Sequence, residues 1–313
     1  MTAPAGPRAG IDIGGTKLLG VVVDAAGRTV RVERRPTPHE NDALVDALVE
    51  VARALEPWAT LGVGAAGLVT VDGVLRAAPN LGNVRELALR ARLGAALGRT
   101  VKVENDATCA LAAEWRQGAA LGARDVVLVT FGTGIGGGVV AADRLVRGTN
   151  GFAGEPGHMV VDPDGPQCVC GRRGCWERYA SGAGLRRWAN EPATAKAMRL
   201  ALGRSDSDEA PLRGEDVMTA ARLGDTAALG VVDTFARYAA IGLVNLTNLL
   251  DPELLVIGGG IAEAADVIAD PVRRWVADLL YAPTQRPHPK LVFAQLGEQA
   301  GALGAALLGA GHW

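Results

Sequence analysis

The sequence predicts an α/β protein built from two related lobes, and three observations lead to this prediction. Segments rich in Val, Ile and Leu alternate along the chain with longer segments whose apolar residues recur at helical spacing. A strand–glycine turn–strand pattern occurs twice, at residues 8–35 and 125–148, and an offset of 118 aligns Gly14 with Gly132. Finally, 313 residues exceed the usual length of one domain.

The first part of the chain is predicted to contain three strands, followed by alternating helices and strands. Val21–Val23 supply β-branched residues, and Ala25–Gly27 supply the turn before the third strand. Asn41 or Asp42 is expected to cap the first helix. The spacing predicts a helix over 40–56, a strand entering a glycine loop over 61–69, a helix over 84–97 and a strand followed directly by a helix over 100–115.

The part that follows the second glycine turn again alternates helices and strands. Residues 190–216 are predicted to form a helix followed by an exposed loop. The remaining elements are a helix over 226–250, a strand entering a glycine turn over 253–260, a helix over 270–280, a strand over 290–296 and a closing Ala-rich helix over 299–309.

Composition excludes several classes of protein. With 49% hydrophobic and 21% charged residues, the chain has the composition of a soluble globular protein and not of a disordered one. A net charge of −2 gives no basic surface for nucleic acid or anionic membranes. Asn245, Asn248 and Asp251 interrupt the longest apolar run, which predicts a buried helix. The N-terminal residues lack the apolar core of a signal peptide, so we expect a cytoplasmic protein.

Glycine-rich turns provide the first functional signal. Gly132–Gly137 satisfies the G-x-G-x-x-G pattern, but a strand follows it where a dinucleotide site needs a helix, so it is predicted to be a hairpin turn. The turns "DIGGTK" and "FGTGIGG" offer the hydroxyls of Thr16 and Thr133 together with unobstructed backbone N–H groups. Glycines often only make turns. Two related turns and a third glycine run at Gly258–Gly260 favour phosphate binding.

Polar residues follow a strand in "VENDAT". Asn105 and Asp106 stand where a strand ends and a helix begins, so either residue is suited to cap that helix. The same position is the edge at which open α/β sheets bind ligands, and the two roles are compatible. Glu155, His158 and Glu177 lie in glycine-rich segments predicted as loops, where functional residues concentrate.

Three of the four cysteines lie within eight residues. Cys168, Cys170 and Cys175 have the spacing C-x-C-x4-C, and His158 precedes them by ten residues. Three thiolates and one imidazole suit a four-coordinate Zn²⁺ ion. A disulfide across C-x-C is disfavoured by strain, and a redox motif would more often have the spacing C-x-x-C. We therefore predict a closed, structural zinc site, while Cys109 is expected to pack as a small apolar residue.

Taken in order, these motifs resemble the ROK family of repressors, open reading frames and sugar kinases, especially its actinobacterial-type ATP glucokinases. The resemblance extends from about residue 9 to about residue 308. It is carried by "DIGGTK", "ENDA", "FGTGIGGG", "GEPGHM", "CVCGRRGCWE" and "VIGGG". It implies an actin-like, ribonuclease H-like ATPase fold with two duplicated lobes and a central cleft. The expected lobes are residues 1–117 joined by the C-terminal helix 299–313, and residues 118–298, which contain the zinc site.

The resemblance also implies a function and site residues. The expected reaction is ATP-dependent phosphorylation of a hexose at its 6-hydroxyl, glucose first, with Asp106 as general base. A homodimer or homotetramer is expected. Residues implied to bind the sugar are Asn80, Asn105, Asp106, Glu155, His158 and Glu177. Residues implied to bind ATP and Mg²⁺ are Asp12, Gly14, Gly15, Thr16, Lys17, Gly132, Thr133, Gly134, Gly258, Gly259 and Gly260.

Two departures from the family pattern keep alternatives open. "AAG" at Ala65–Gly67 stands where the family often has Pro-Gly, and Pro156 follows Glu155 where Leu or Ile is usual. The alternatives are a kinase for N-acetylmannosamine, N-acetylglucosamine, fructose or mannose, polyphosphate as the donor, or a sugar sensor without turnover. Because only about ten residues precede the first glycine turn, a repressor with an N-terminal DNA-binding domain is not expected.

Overall fold

A computed structural model describes residues 6–205 and 210–311. Within these residues there are thirteen strands and nine α-helices. The strands are β1 (Arg8–Ile13), β2 (Lys17–Val23), β3 (Thr29–Pro36), β4 (Thr60–Ala65), β5 (Leu68–Val69), β6 (Leu75–Ala77), β7 (Arg85–Leu87), β8 (Val101–Asn105), β9 (Val126–Phe131), β10 (Ile135–Ala141), β11 (Arg144–Leu145), β12 (Leu254–Gly258) and β13 (Lys290–Phe293). The helices are α1 (Asn41–Ala54), α2 (Leu89–Leu97), α3 (Asp106–Gln117), α4 (Gly182–Ala189), α5 (Pro192–Ala201), α6 (Gly214–Arg222), α7 (Thr226–Leu250), α8 (Ala265–Leu279) and α9 (Ala300–Gly309).

The two large sheets have the same topology. The first has the strand order β3-β2-β1-β4-β8 and the second has the order β11-β10-β9-β12-β13. In both, the strand that precedes the glycine turn lies at the centre, with the next two strands of the chain on one side and two later strands on the other. The weak duplication predicted from the 118-residue offset is therefore a repeated topology.

The chain divides into two compact units. Unit 1 comprises residues 1–128, 137–154 and 294–313, and unit 2 comprises residues 129–136 and 155–293. The C-terminal helix α9 thus belongs to unit 1, together with the first sheet. The predicted lobe boundaries, after residues 117 and 298, stay a prediction.

In unit 1, α9 lies directly on the first sheet, and glycines on two strands permit this close approach. A Cβ atom added to Gly10 on β1 would lie 2.0 Å from the carbonyl oxygen of Ala302, and one added to Gly62 on β4 would lie 1.8 Å from that of Ala305. Buried Glu114 of α3 fixes the segment that leads into α9, since one carboxylate oxygen accepts the N–H groups of Gln295 and Leu296, each at 2.8 Å.

Unit 2 is organised around α7, which packs against α8 and α6. This helix is long and apolar enough to cross a membrane by length and composition, but much of its apolar face, including Val232, Phe235 and Leu243, is buried in the unit. The prediction of a buried helix over 226–250 is confirmed. Asp225 caps it, accepting the N–H of Ala228 at 2.8 Å.

The structure corrects several local expectations. Residues 85–87 form strand β7 within a small three-stranded sheet, β5-β6-β7, so the helix predicted over 84–97 begins only at Leu89. The N-cap of α1 is Glu40, whereas Asn41 and Asp42 lie inside the helix. The segment 190–216 contains α5 and also the start of α6, and its residues 206–209 lie outside the described part of the chain.

Candidate functional site

Three predicted strands end side by side at the carboxyl edge of the first sheet. The strands β1, β4 and β8 are parallel, and Ile13 pairs with Ala65, which pairs with Asn105. Asp12 therefore stands one residue before this edge and Asp106 stands one residue beyond it. Between them lies Gly64, where an added Cβ would be 3.5 Å from both the Cα of Asp106 and the Oδ1 of Asp12.

The carboxyl group of Asp12 is perturbed at this edge. Burial and the neighbouring Asp106 raise the pKa of Asp12 to about 7, and the charge of Lys17 opposes this rise more weakly. Its Oδ1 atom is shielded from solvent and has no hydrogen-bond partner among the described residues. Burial also raises the pKa of Asp106, opposed by the N–H groups of Ala107 and of Asp106 itself. The edge is thus an acidic site at which no cation of the described residues satisfies the Oδ1 of Asp12.

Asn105 fixes the start of α3. Its side-chain oxygen accepts the N–H of Thr108 at 2.9 Å, so the predicted cap is Asn105 and Asp106 is the first helical residue. The amide nitrogen of Asn105 donates to the carbonyl of Gly67 at 3.2 Å. Gly67 itself has φ 122° and lies against Ala77, so the "AAG" loop is held beside the predicted sugar residues.

The first glycine turn connects β1 to β2 and is closed by a hydrogen bond from Gly14 N–H to the carbonyl of Lys17, 3.0 Å. A Cβ on Gly15 would lie 3.2 Å from the carbonyl oxygen of Asn80, so the turn lies against that predicted sugar residue. The Nζ of Lys17 lies 2.6 Å from an Oε2 oxygen of Glu298. The lysine predicted to contact phosphate is thus in an ion pair, and this pairing lowers the pKa of Glu298 to about 2.

The second glycine turn, in unit 2, lines a cavity of about 740 Å³. Gly132 N–H donates to the carbonyl of Gly134 at 3.0 Å, and the Gly132 carbonyl accepts the N–H of Gly182, the first residue of α4, at 2.8 Å. The strand β10 follows this turn, which confirms that it is a hairpin and not a dinucleotide fingerprint. Phe131 forms part of the cavity wall and packs edge-on against Trp176 and Phe235.

The third glycine run reaches the same cavity. Gly258 ends β12, and Gly260, together with Ile261, lines the cavity. Gly259 has φ 76°, and an added Cβ would lie 2.5 Å from the carbonyl oxygen of Phe131. Only glycine fits this position without strain. Within unit 2 the structure therefore brings Gly132, Thr133 and Gly260 together.

The predicted metal ligands converge. Four ligand atoms lie within 4.8 Å of one another, one each from His158, Cys168, Cys170 and Cys175. The Sγ atoms of Cys170 and Cys175 are 3.5 Å apart, and the Sγ of Cys168 is 3.8 Å from the Nδ1 of His158. Tetrahedral Zn–S bonds of about 2.3 Å place sulfur atoms about 3.8 Å apart, so the set fits zinc.

Glu177 lies between this cluster and the second glycine turn. One carboxylate oxygen is 3.0 Å from the Sγ of Cys168 and 3.9 Å from the Nδ1 of His158. The other would contact a Cβ on Gly134 at 2.7 Å. The preceding Trp176 is fully buried and donates to the carbonyl of Tyr238 of α7 at 2.6 Å, which anchors the 3₁₀ turn that presents Glu177.

Glu155 precedes a second 3₁₀ turn, Pro156–His158, and is half-buried. Gly157 in this turn lies against Ile135, where an added Cβ would be 2.3 Å from the carbonyl oxygen. Pro156 occupies the first position of the turn, where a missing N–H leaves no hydrogen bond unmade.

Sequence reasoning missed most of the unit 2 cavity. Part of its wall comes from α6 and the residue before it, and Arg186, Ile261 and Glu263 add to the wall. The lining residues of the α6 region are Arg213, Gly214, Glu215, Met218, Thr219 and Arg222. The segment that contains α6 has no glycine motif or strand edge, so its place in the cavity follows only from tertiary packing. The "SGAG" segment at Ser181–Gly184 contains a signal that could have indicated part of the cavity, because a serine before small residues is typical of a helix N-terminus. Ser181 caps α4, and the first residues of α4 line the cavity.

Comparison with known proteins gives consistent matches. The model of the ROK family matches residues 8–311. A glucokinase of Streptomyces coelicolor is 40% identical over 305 residues, covering 95% of both chains. An N-acetylmannosamine kinase of Citrobacter koseri is 34% identical over 308 residues, covering 96% of this chain and 98% of that protein. The crystal structure of a ROK family glucokinase from Streptomyces griseus in complex with glucose and AMPPNP has a TM-score of 0.88 at 38% identity, covering 97% of this chain and 99% of that one.

Proposed function

Because this chain belongs to the ROK family, we propose that it is an ATP-dependent sugar kinase that phosphorylates a hexose at its 6-hydroxyl, with glucose as the preferred acceptor. The observation that carries the proposal is Asp106, a shielded carboxylate at the first position of α3. It follows the edge where β1, β4 and β8 end together. The similarity to glucokinases of two Streptomyces species supports glucose as the acceptor.

Asp106 is suited to act as general base. Burial raises its pKa above that of an ordinary aspartate, which strengthens it as a proton acceptor. Its position at the N-terminus of α3 favours the ionised form through the helix dipole. It would accept the proton of the sugar 6-hydroxyl as that oxygen attacks the terminal phosphorus of ATP.

Asp12 is the residue best suited to hold Mg²⁺. Its Oδ1 is shielded and, among the described residues, without a hydrogen bond, and its pKa of about 7 reflects an uncompensated negative charge that a cation would stabilise. Bound Mg²⁺ would neutralise charge on the ATP phosphates, the main requirement of phosphoryl transfer. The N–H groups of Gly14, Gly15 and Thr16 would contact the phosphates, with Lys17 exchanging Glu298 for a phosphate oxygen.

The nucleotide is assigned to the 740 Å³ cavity of unit 2. Its volume lies within the range of small-molecule sites, about 300–1,000 Å³. The glycine turn at Gly132–Gly134 would approach the phosphates. Gly258–Gly260 and Ile261 would lie against the nucleoside.

A zinc ion is assigned to His158, Cys168, Cys170 and Cys175. Four protein ligands close the coordination shell, so the ion is structural and takes no part in the chemistry. Because the Nδ1 of His158 faces the cysteines, Nε2 is left for a sugar hydroxyl. The metal would thereby orient both His158 and the adjacent Glu177.

The residues proposed to bind the sugar are Asn80, Asn105, Asp106, Glu155, His158 and Glu177. An amino sugar is the second candidate acceptor, and it is favoured by the similarity to an N-acetylmannosamine kinase. We also propose that the enzyme is soluble and cytoplasmic, and that it forms a homodimer or homotetramer.

A sugar panel tests the proposed function. ADP release is measured with ATP and glucose, mannose, fructose, allose, N-acetylglucosamine or N-acetylmannosamine, and with polyphosphate in place of ATP. The highest kcat/KM is expected for glucose with ATP. A higher value for an acetylated amino sugar would overturn the glucose assignment, and sugar binding without ADP release would overturn the kinase in favour of a sensor.

A further inference from the structure

Unit 1 contains a cavity that none of the predicted site residues lines. It has a volume of about 280 Å³ and lies beside β8, the edge strand of the first sheet. The α2 helix, the segment after β5, the loop after β11 and the end of α9 form the rest of its wall. The side chains that matter for its chemistry are Arg90, Lys102, Glu104 and Arg147.

The strand β8 places two of these charges on one face. Lys102 and Glu104 are two residues apart, so both side chains project to the same side of the strand. Lys102 is exposed, and its amine has no ion pair or side-chain hydrogen bond within the described residues. A free ammonium group therefore stands at the cavity.

Arg147 is held in place at the cavity by Glu104. The Nε of Arg147 donates to one oxygen of the Glu104 carboxylate at 2.5 Å, and the other oxygen accepts the N–H of Asn105 at 3.1 Å. Glu104 is only 13% exposed and Arg147 is 35% exposed, so the pair is partly shielded from solvent. This contact uses Nε, so the two terminal nitrogens of the guanidinium remain as donors.

Arg90 is held more loosely. Its guanidinium donates to the carbonyl of Val71 and lies 3.3 Å from Asp72, whose side chain is 80% exposed. Exposed ion pairs of this kind contribute little to stability. Arg90 can therefore turn toward a stronger anion.

We propose that this cavity binds a small phosphate monoester. Three basic side chains and one carboxylate line it, so the wall carries a net positive charge that attracts an anion. Guanidinium groups match the geometry of phosphate oxygens and an ammonium adds a point charge. The volume lies just below the usual range of small-molecule sites, about 300–1,000 Å³, so the ester is a small one.

The end of α9 does not oppose an anion strongly, although helix C-termini carry partial negative charge. The carbonyl of Leu308, which lines the cavity, already accepts the N–H of Gly311 at 3.1 Å. The proposal does not depend on kinase activity, because the site and its ligand are defined by unit 1 alone.

Calorimetric titration tests the proposal on the full chain saturated with AMPPNP, which occupies the nucleotide cavity. The probes are glycerol 3-phosphate, glucose 6-phosphate and inorganic phosphate, with glycerol as the uncharged control. We expect saturable binding of at least one ester with a Kd below about 10 mM, tighter than that of inorganic phosphate, and weaker at higher salt.

Two variants locate the site. The double substitution Arg90→Gln with Lys102→Gln is expected to weaken ester binding at least about tenfold, because both cations are removed while Glu104 and Arg147 stay paired. The matched control is Arg92→Gln, since Arg92 lies on the same helix, pairs with Asp42 at 2.8 Å and does not line the cavity. The control should bind as the wild type does.

Three results would overturn the proposal: no saturable binding of either ester, binding of inorganic phosphate as tight as that of the esters, or the same Kd in the double variant and the wild type. Circular dichroism of each variant confirms that it is folded. Because ester binding is measured directly, an inactive kinase would not affect this test.

Discussion

The two glycine turns differ most in the residues just before them. In unit 1 the strand that enters the turn carries Asp12, whose oxygen is shielded and unsatisfied within the described chain. The 118-residue offset places Thr130 at the equivalent position in unit 2, followed by Phe131, which packs against Trp176 and Phe235. One turn therefore follows a buried charge, and the other follows an aromatic side chain.

Under the proposed function, this difference suits the two turns to two separate tasks of phosphoryl transfer. The edge of the first sheet gathers carboxylates, which suits proton transfer and cation binding. The corresponding part of unit 2 has apolar and glycine residues, which suit the faces of a nucleoside. Two copies of one topology thus diverged at the strand ends, while the strand order stayed the same.

The largest expected effect comes from removing the base. Asp106→Asn is expected to lower kcat by about 10²- to 10⁴-fold, the usual contribution of a general base, with sugar binding retained. Steady-state kinetics and calorimetric sugar titration measure the two quantities. Asp42→Asn is the control, since that side chain is 87% exposed on α1. If Asp106→Asn kept the wild-type kcat, Asp106 would not be the general base.

The second effect is a pH dependence of stability that comes from Asp12. Its pKa in the folded chain is about 7 and its ordinary value is 3.8, so the folded state binds the proton more tightly. The stabilisation is fully present below pH 3.8 and is lost as pH rises through about 7. Asp12→Asn removes this dependence and should gain about 2–4 kcal/mol relative to the wild type between about pH 5 and pH 8.

Urea unfolding in buffer free of Mg²⁺ measures this gain. Asp24→Asn is the control, because Arg28 and backbone N–H groups lower the pKa of Asp24, so its stabilisation is lost only as pH falls below the ordinary value. If the free energy of unfolding changed with pH in the same way in the wild type and in Asp12→Asn, the charge of Asp12 would be compensated in the folded state. The contrast between Asp12 and Thr130 would then disappear.

Motifs that are local in sequence were predicted well. The strand–helix junction at Asn105–Asp106, the two hairpin turns and the convergence of His158 with the cysteines each depend on a few neighbouring residues. The α/β, actin-like fold of two duplicated parts is confirmed by the similarity to ROK family structures. Local glycine and β-branched patterns suffice for these features because they restrict the backbone directly.

Features that depend on distant residues were not predicted. The partner of Lys17 is Glu298, 281 residues away, and nothing in "DIGGTK" indicates it. The strands β6 and β7 are three residues each, too short for a periodic pattern to distinguish. The α6 wall of the unit 2 cavity likewise depends on how helices of unit 2 pack.

The third effect concerns the metal cluster. Cys168→Ser is expected to abolish zinc binding, to lower stability by about 3 kcal/mol or more and to raise the sugar KM, because His158 and Glu177 lose their orientation. Zinc per chain, thermal unfolding and sugar kinetics are measured together. Cys109→Ala is the control, since Cys109 is buried in unit 1 and outside the cluster. Metal-free protein with unchanged sugar affinity would exclude a positioning role for zinc.

The fourth effect compares two neighbouring glycines beside Phe131. Gly259→Ala places a Cβ 2.5 Å from the Phe131 carbonyl at positive φ, so a loss of about 1–3 kcal/mol is expected. Gly260→Ala meets no atom within 4 Å, so stability should change by less than about 0.5 kcal/mol. Because Gly260 lines the cavity, its variant should raise the KM for ATP. Equal stability of the two variants would contradict the close contact between Gly259 and β9.

The smallest effect is expected at the first turn. Lys17→Gln should raise the KM for ATP about three- to tenfold, because the side chain must leave Glu298 before it can contact phosphate and so contributes little net energy. Stability should change by only about 0.2–1 kcal/mol, since the pair is about half exposed. Arg34→Gln is the matched control, as Arg34 pairs with the same Glu298 from β3 but stands outside the turn. If both variants changed the KM for ATP equally, the cause would be the lost ion pair with Glu298. Only the backbone N–H groups of the turn would then remain as phosphate contacts.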